Sequence, residues 1–133
     1  MTLSLDPMAS DPTIDANFEK LLARHAPEVA ATAVALRAAV KSAMPGAVEQ
    51  IDVADGLLAI GRGRGMRDWL FAIIPHKAHV NLQLADGLDL PNSDGLIEGT
   101  GKRIRHVKVR SVEAAGSARL RDAIGAQLAH VRG

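Results

Sequence analysis

Apolar residues recur along this chain first with the period of a helix and then with that of a strand. From Pro12 onward, Ile14, Phe18, Leu21 and Leu22 return at helical spacing, the stripe of an amphipathic helix, with Asp11 or Thr13 as its N-cap. A second, longer helix begins near Pro27, a residue suited to a first helical turn. It carries Val29, Ala33, Leu36 and Val40 on one side until Pro45-Gly46 stops it after Met44. Residues 48–53 and 56–60 then read as short strands joined at Asp55-Gly56, a hairpin signal. Gly61-Arg62-Gly63-Arg64-Gly65 is a flexible connection, and residues 68–74 are apolar on both sides, as in a central strand that takes Trp69 into the core. After a turn at His76-Lys77 the alternation is clean. Ala78, Val80, Leu82 and Leu84 face one way, and His79, Asn81 and Gln83 face the other. Residues 85–103 form a long connection with Pro91 and one helical turn around 93–97. Residues 105–110 are the last strand, and a terminal helix buries Leu120, Ile124, Leu128 and Val131 behind a cap at Ser117 or Ser111.

Two helices, several antiparallel strands and a final helix predict an α+β domain of two layers. The N-terminal helix pair and the C-terminal helix pack on one face of an antiparallel sheet. Residues 1–11 read as a flexible N-terminal tail and 12–133 as a single domain. A sheet covered on one face leaves the other solvated. That face is polar at His79, Asn81 and Gln83 and, if the last two strands pair in register, at His106, Lys108 and Arg110.

Composition narrows the functional classes. The chain of 133 residues is 47% apolar, yet Phe18, Trp69 and Phe71 are its only aromatics, so Ala, Val, Leu and Ile build the core. A domain of this size buries roughly two-thirds of the surface of its unfolded chain, enough for a core without disulfides or a structural metal. The absence of cysteine excludes disulfides, thiolate–zinc sites, iron–sulfur clusters and thiol catalysis. The start, Met1-Thr2-Leu3-Ser4-Leu5-Asp6-Pro7, lacks the cationic and apolar parts of a signal peptide, and no uncharged apolar run approaches the ~20 residues that span a bilayer. The expectation is a soluble, cytoplasmic protein with no membrane partner.

Net charge is only +1, but it is unevenly distributed. Residues 1–55 hold eight acids and four bases, whereas residues 56–133 hold twelve bases and seven acids. Such asymmetry orients a partner or pairs internally, and internal pairing is the simpler expectation.

The candidate chemistry lies in the basic half. Glu98-Gly99-Thr100-Gly101-Lys102 is a glycine turn whose backbone N–H groups, strengthened by Lys102, Arg103 and Arg105, suit an anion. It is neither a Walker loop nor a dinucleotide fingerprint, and a glycine turn leading into a strand is often only a turn. Together with His79, Asn81, His106 and Lys108 it defines a candidate ligand-binding surface over Gly99, Thr100, Gly101, Lys102 and Arg105; an ordinary solvated sheet face would carry the same residue types. His76 and His79, three apart, would point to opposite faces of a strand unless the turn between them brings them together. Asp11, Asp15 and Glu19 recur along the first helix and Glu49 stands on the first strand. Their oxygens suit a hard cation, though acids in a first turn also complement the helix dipole. No nucleophile elbow or His-Glu-x-x-His motif is present, and cations without stacking aromatics make nucleic acid an unfavoured partner.

From about Leu36 to Ile124 the chain resembles the domain-of-unknown-function 1801 family, also called YdhG-like. The landmarks are Met44-Pro45-Gly46 with Glu49 and Ile51, then Phe71-Ala72-Ile73-Ile74-Pro75-His76-Lys77-Ala78-His79-Val80-Asn81-Leu82, then Leu96-Ile97-Glu98-Gly99-Thr100-Gly101-Lys102 with Arg105-His106-Val107. The resemblance implies a small bacterial cytosolic α+β domain, and proposals of frataxin-like iron chaperones among its relatives imply iron delivery as an alternative function. The chain departs from the family pattern where Val53-Ala54-Asp55-Gly56-Leu57 replaces an aromatic Gly-Met-Pro-type segment, and Gly61-Arg62-Gly63-Arg64-Gly65 is its own. The leading expectation is a non-enzymatic binding module without a cofactor, for an anionic small molecule or protein. The alternative is weak iron binding through Asp11, Asp15, Glu19 and Glu49.

Overall fold

The structure of the protein, a computed structural model, describes residues 11–130. The tail expected over residues 1–10 and Val131 of the last helical stripe lie outside the described residues. Helix α1 (Pro12–Leu22) is capped by Asp11, whose Oδ1 accepts the N–H of Thr13 at 2.7 Å. Helix α2 (Pro27–Ala43) opens on Pro27, which lacks the N–H that a first turn would leave unbonded. At the other end of the chain both candidate serines serve as caps. Ser111 accepts from Ala114 N–H at the start of α3 (Val112–Ala115), and Ser117 accepts from Leu120 N–H at the start of α4 (Ala118–Ala129).

Between the helices run β1 (Val48–Asp52), β2 (Leu57–Gly61), β3 (Trp69–Pro75), β4 (Val80–Leu84) and β5 (Arg105–Val109). They form an antiparallel sheet in the order β1-β2-β3-β4-β5. Every strand pairs with its neighbour in sequence, β1–β2 and β3–β4 through tight turns and β4–β5 across the long connection that holds Gly87–Asp89. In the β1–β2 turn, Gly56 takes φ +74°, its N–H donates to Asp52 O at 2.9 Å, and Asp52 Oδ1 accepts the N–H of Asp55. Leu58, Ile60, Phe71, Ile73, Leu82, Leu84, Val107 and Val109 line the covered face and meet Phe18, Leu21, Leu36, Val40, Leu120 and Ile124 of the helices in one core. The two-layer α+β architecture of the sequence pattern is the one observed.

Two local expectations are corrected. The helical turn of the long connection falls at Gly87–Asp89, not around 93–97. Asn92 uses its side-chain amide both to donate to Ile97 O at 2.7 Å and to accept Ile97 N–H at 2.8 Å, which satisfies that segment without a helix. Just before the observed turn, fully buried Asp86 is held from α4. Its N–H donates to Gln127 Oε1 at 2.8 Å, its Oδ2 accepts from Gln127 Nε2 at 2.8 Å, and Oδ1 pairs with Arg103. Trp69 is not a core residue. Ile60 lies opposite Phe71 but Gly61 lies opposite Trp69, so β3 carries one extra residue there. Leu70 keeps a place in the core, while Trp69 is half-buried and outside it.

Candidate binding face

The side of the sheet away from the helices carries the opposite set of alternating residues. The β4–β5 register sets Asn81 opposite Lys108 and Gln83 opposite His106. Toward the other edge, Asn81 faces Ile74 and Gln83 faces Ala72 on β3, Ala72 faces Ala59 on β2, and Ala59 faces Gln50 on β1. The face is therefore graded: amides, imidazole and ammonium over β4 and β5, small and aliphatic side chains in the middle, Gln50 and Asp52 at the β1 edge. The candidate residues His79, Asn81, His106 and Lys108, spread over thirty positions of sequence, are brought together by this one register.

At the upper end, the β3–β4 turn pairs His76 with His79. His76 N–H donates to His79 O at 2.8 Å and the two rings stack with centroids 4.8 Å apart. The turn thus supplies the juxtaposition that strand spacing alone forbids. Partial burial holds the His79 imidazole below its ordinary pKa, and the charges of His76, Lys108 and Arg110 push the same way, against a smaller pull from Asn81. His79 consequently favours its neutral form within a cationic surround. Asn81 Oδ1 is buried beside it without a hydrogen-bond partner among the described residues.

At the lower end, the glycine turn is explained by packing. Glu98 and His106 exchange backbone hydrogen bonds at 2.7 and 2.9 Å. Gly99 then takes φ +120°, where a Cβ would press at 3.3 Å on both Arg105 Cδ and His106 Nδ1. A Cβ on Gly101 would sit 2.5 Å from Ile104 O. Arg105 Nε donates back to Gly101 O at 2.8 Å and ties the turn down. Thr100 and Lys102 are exposed. Because Glu98 is the cross-strand neighbour of His106, it sets a carboxylate on this end of the face, whereas Lys108 and Arg110 stand at the upper end.

The carboxylates singled out in the first half sit elsewhere. Asp11 caps α1 and Glu19 is exposed on that helix. Asp15 and Glu49 do meet, but on Arg37. Nε and Nη2 of Arg37 bond both oxygens of Glu49 at 2.6 and 2.8 Å, Nη2 also lies 2.8 Å from Asp15 Oδ1, and the guanidinium stands 5.0 Å over the Phe18 ring. Lys41 Nζ approaches Glu49 Oε1 at 3.3 Å. The bonds to Glu49 raise the Arg37 pKa further, opposed by burial. This cluster lies beside a groove of about 470 Å³ between α1 and α2, lined by Phe18, Leu22, Val34 and Ala38. Among the described residues, no group of three or more His, Asp or Glu is disposed to hold a metal ion.

Gln83 and Arg110 belong to the face as much as the residues ranked above them, and their alternation with Asn81 and Lys108 is the signal that marks them. Among the described residues no helix is long and apolar enough to cross a membrane. Compared with protein-family models, curated proteins and solved structures, the chain matches none.

Proposed function

We propose that this protein is a non-enzymatic, cytoplasmic binding module that holds an anionic partner, a small anion or an acidic protein segment, on the helix-free face of its sheet. His79, Asn81, His106 and Lys108 make the contact, with Arg105 and the turn of Gly99, Thr100, Gly101 and Lys102 at its lower border. The observation that carries this reading is the β4–β5 register, which sets Asn81 beside Lys108 and Gln83 beside His106 where no helix covers them. The sheet fixes the backbone of these residues before binding, so no backbone ordering opposes it, and the ordering cost is confined to exposed side chains such as Lys108. Because neutral His79 sits among cations, an arriving anion stabilises its protonated form, and binding strengthens as pH falls toward the lowered pKa of His79.

Thermal shift with inorganic phosphate, citrate and a glutamate-rich peptide tests the reading. The wild type rises in melting temperature as ligand passes its dissociation constant, and Lys108→Ala and His106→Ala abolish the rise. No stabilisation, or stabilisation that survives both substitutions, contradicts it. The YdhG-like resemblance remains part of this proposal, since its glycine-turn motif and its histidine-containing strand border the same face. Iron delivery through Asp11, Asp15, Glu19 and Glu49 gains no support from the placement of those side chains, because Arg37 holds two of them.

A further inference from the structure

The uneven charge of the sequence is met, among the described residues, by ion pairs within each half of the chain. Among the described residues the ion pairs of Asp15 and Glu49 with Arg37, and of Glu49 with Lys41, stay within the acidic first half. Those of Asp86 with Arg103, Asp94 with Arg119 and Asp89 with His130 stay within the basic second half. Asp52 and Asp55 at the β1 edge, and Lys108 and Arg110 at the β5 edge, are exposed, with no ion-pair partner among the described residues. They stand on opposite edges of one sheet, about 19 Å apart at four strand spacings, too far to meet within one molecule.

Their heights on the sheet match. Asp52 pairs with Leu57, the β2–β3 register continued by one residue sets Leu57 opposite Ile74, Ile74 pairs with Asn81, and Asn81 pairs with Lys108. Asp52 and Lys108 are thus the two ends of one row across the uncovered face, with two aliphatic side chains between them. Asp55, in the β1–β2 turn, and Arg110, just past β5, lie beyond that row at the same end of the sheet. We infer that the anionic partner of this face is a second copy of the chain, stacked sheet on sheet about a two-fold axis along β3, so that Asp52 and Asp55 of each copy face Lys108 and Arg110 of the other.

A half-turn about that axis reverses the order of the strands and keeps their heights. It lays β1 over β5, acid over base, twice per dimer, and stacks the half-buried Leu57, Ala59 and Ile74 middle on itself. A half-turn about an axis across the strands would instead lay β1 over β1 and β5 over β5, like charge on like. Stacked sheets lie about 10 Å apart and stay aligned to within about 30°, which long lysine and arginine side chains accommodate. Five strands, four of five residues and β3 of seven, present a shared face of about 400 Å² per copy. That area, about 800 Å² for the pair, falls below the range of stable specific interfaces and predicts a weak, transient dimer that depends on concentration and salt.

This inference rests on the proposed anion-binding role of the face, and sedimentation equilibrium with charge swaps separates the two. At low salt the wild-type weight-average mass climbs from that of the monomer toward twice that value as concentration rises into the high micromolar range, and salt reverses the climb. Asp52→Lys and Lys108→Glu each lower association at least tenfold, because each sets two like-charge contacts in its own homodimer. An equimolar mixture of the two variants associates again, since every facing pair is then opposite in charge. Both substituted residues are exposed, so circular dichroism stays unchanged in each variant; melting temperature is unchanged in Lys108→Glu and falls slightly in Asp52→Lys, which gives up the turn hydrogen bond from Asp55 N–H. A wild type that remains monomeric, or a mixture that fails to associate, overturns the inference. If the monomer still gains thermal stability from the glutamate-rich peptide through Lys108, the anion-binding reading stands and the second copy is excluded as its partner.

Discussion

Glu49 and Lys108 both carry a full charge on an edge strand of the same sheet, and the fold treats them in opposite ways. The Glu49 side chain is 6% exposed and is gripped by both nitrogens of the Arg37 fork and by Lys41. Lys108 stands on the other face, exposed, with no ion-pair partner among the described residues and another cation, Arg110, nearby. Charge under the helices is neutralised where it is buried, as desolvation requires. Charge on the uncovered face is left available. Of the acids that look like cation ligands in the sequence, Asp11, Asp15 and Glu49 are engaged by a helix cap or by Arg37 and Lys41. The bases Lys108 and Arg110, in contrast, stand exposed without an ion-pair partner among the described residues.

The comparison breaks most visibly at Glu49. Glu49→Ala leaves Arg37 with only Asp15 and removes a counter-charge from buried Lys41, and urea denaturation should show a loss of roughly 3 kcal/mol. A loss below about 1 kcal/mol would mean the cluster is solvated and its charges are not committed to the fold. Next in size is Gln127→Ala, which removes the two hydrogen bonds Gln127 makes to the amide and a carboxylate oxygen of buried Asp86 and should cost about 2 kcal/mol in the same assay. On the other face, Lys108→Ala should change stability by no more than about 0.5 kcal/mol while it removes anion-induced stabilisation.

The smallest effect is the pH response of His79. Its pKa is lowered in the folded state, so between that value and 6.5 the unfolded chain binds more protons. The contribution of His79 to stability is fully present above pH 6.5 and shrinks as pH falls through the folded-state value. His79→Asn should flatten that acid-side decline, and Lys108→Ala with Arg110→Ala should move the His79 imidazole titration, followed by NMR, upward toward 6.5.

Much of this is legible in the chain because strands adjacent in sequence are adjacent in the sheet, although the β4–β5 pairing spans a long connection and its register is not set by a turn. The alternation of Val80, Leu82 and Leu84 against His79, Asn81 and Gln83 fixed which residues face away from the core, and the pattern of Val107 and Val109 did the same for His106 and Lys108. Trp69 was not legible, because its strand is apolar on both sides and the one-residue bulge against Gly61 shifts the phase within a run that has no polar marker. Asp86 and Gln127 are forty-one positions apart and meet only once the long connection packs on α4. The convergence of Asp15 and Glu49 on Arg37 is likewise a product of packing α1 and α2 against β1. Helical spacing shows carboxylates in a line but not the guanidinium they share.

Backbone amide chemical-shift mapping during titration with a glutamate-rich peptide tests most directly whether the uncovered face is the binding surface. Shifts should concentrate at Asn81, Gln83, His106 and Lys108 and extend to Gly99 and Thr100, and they should vanish in Lys108→Glu. Shifts centred instead on the groove between α1 and α2, around Phe18, Val34 and Arg37, or none at all, would contradict it.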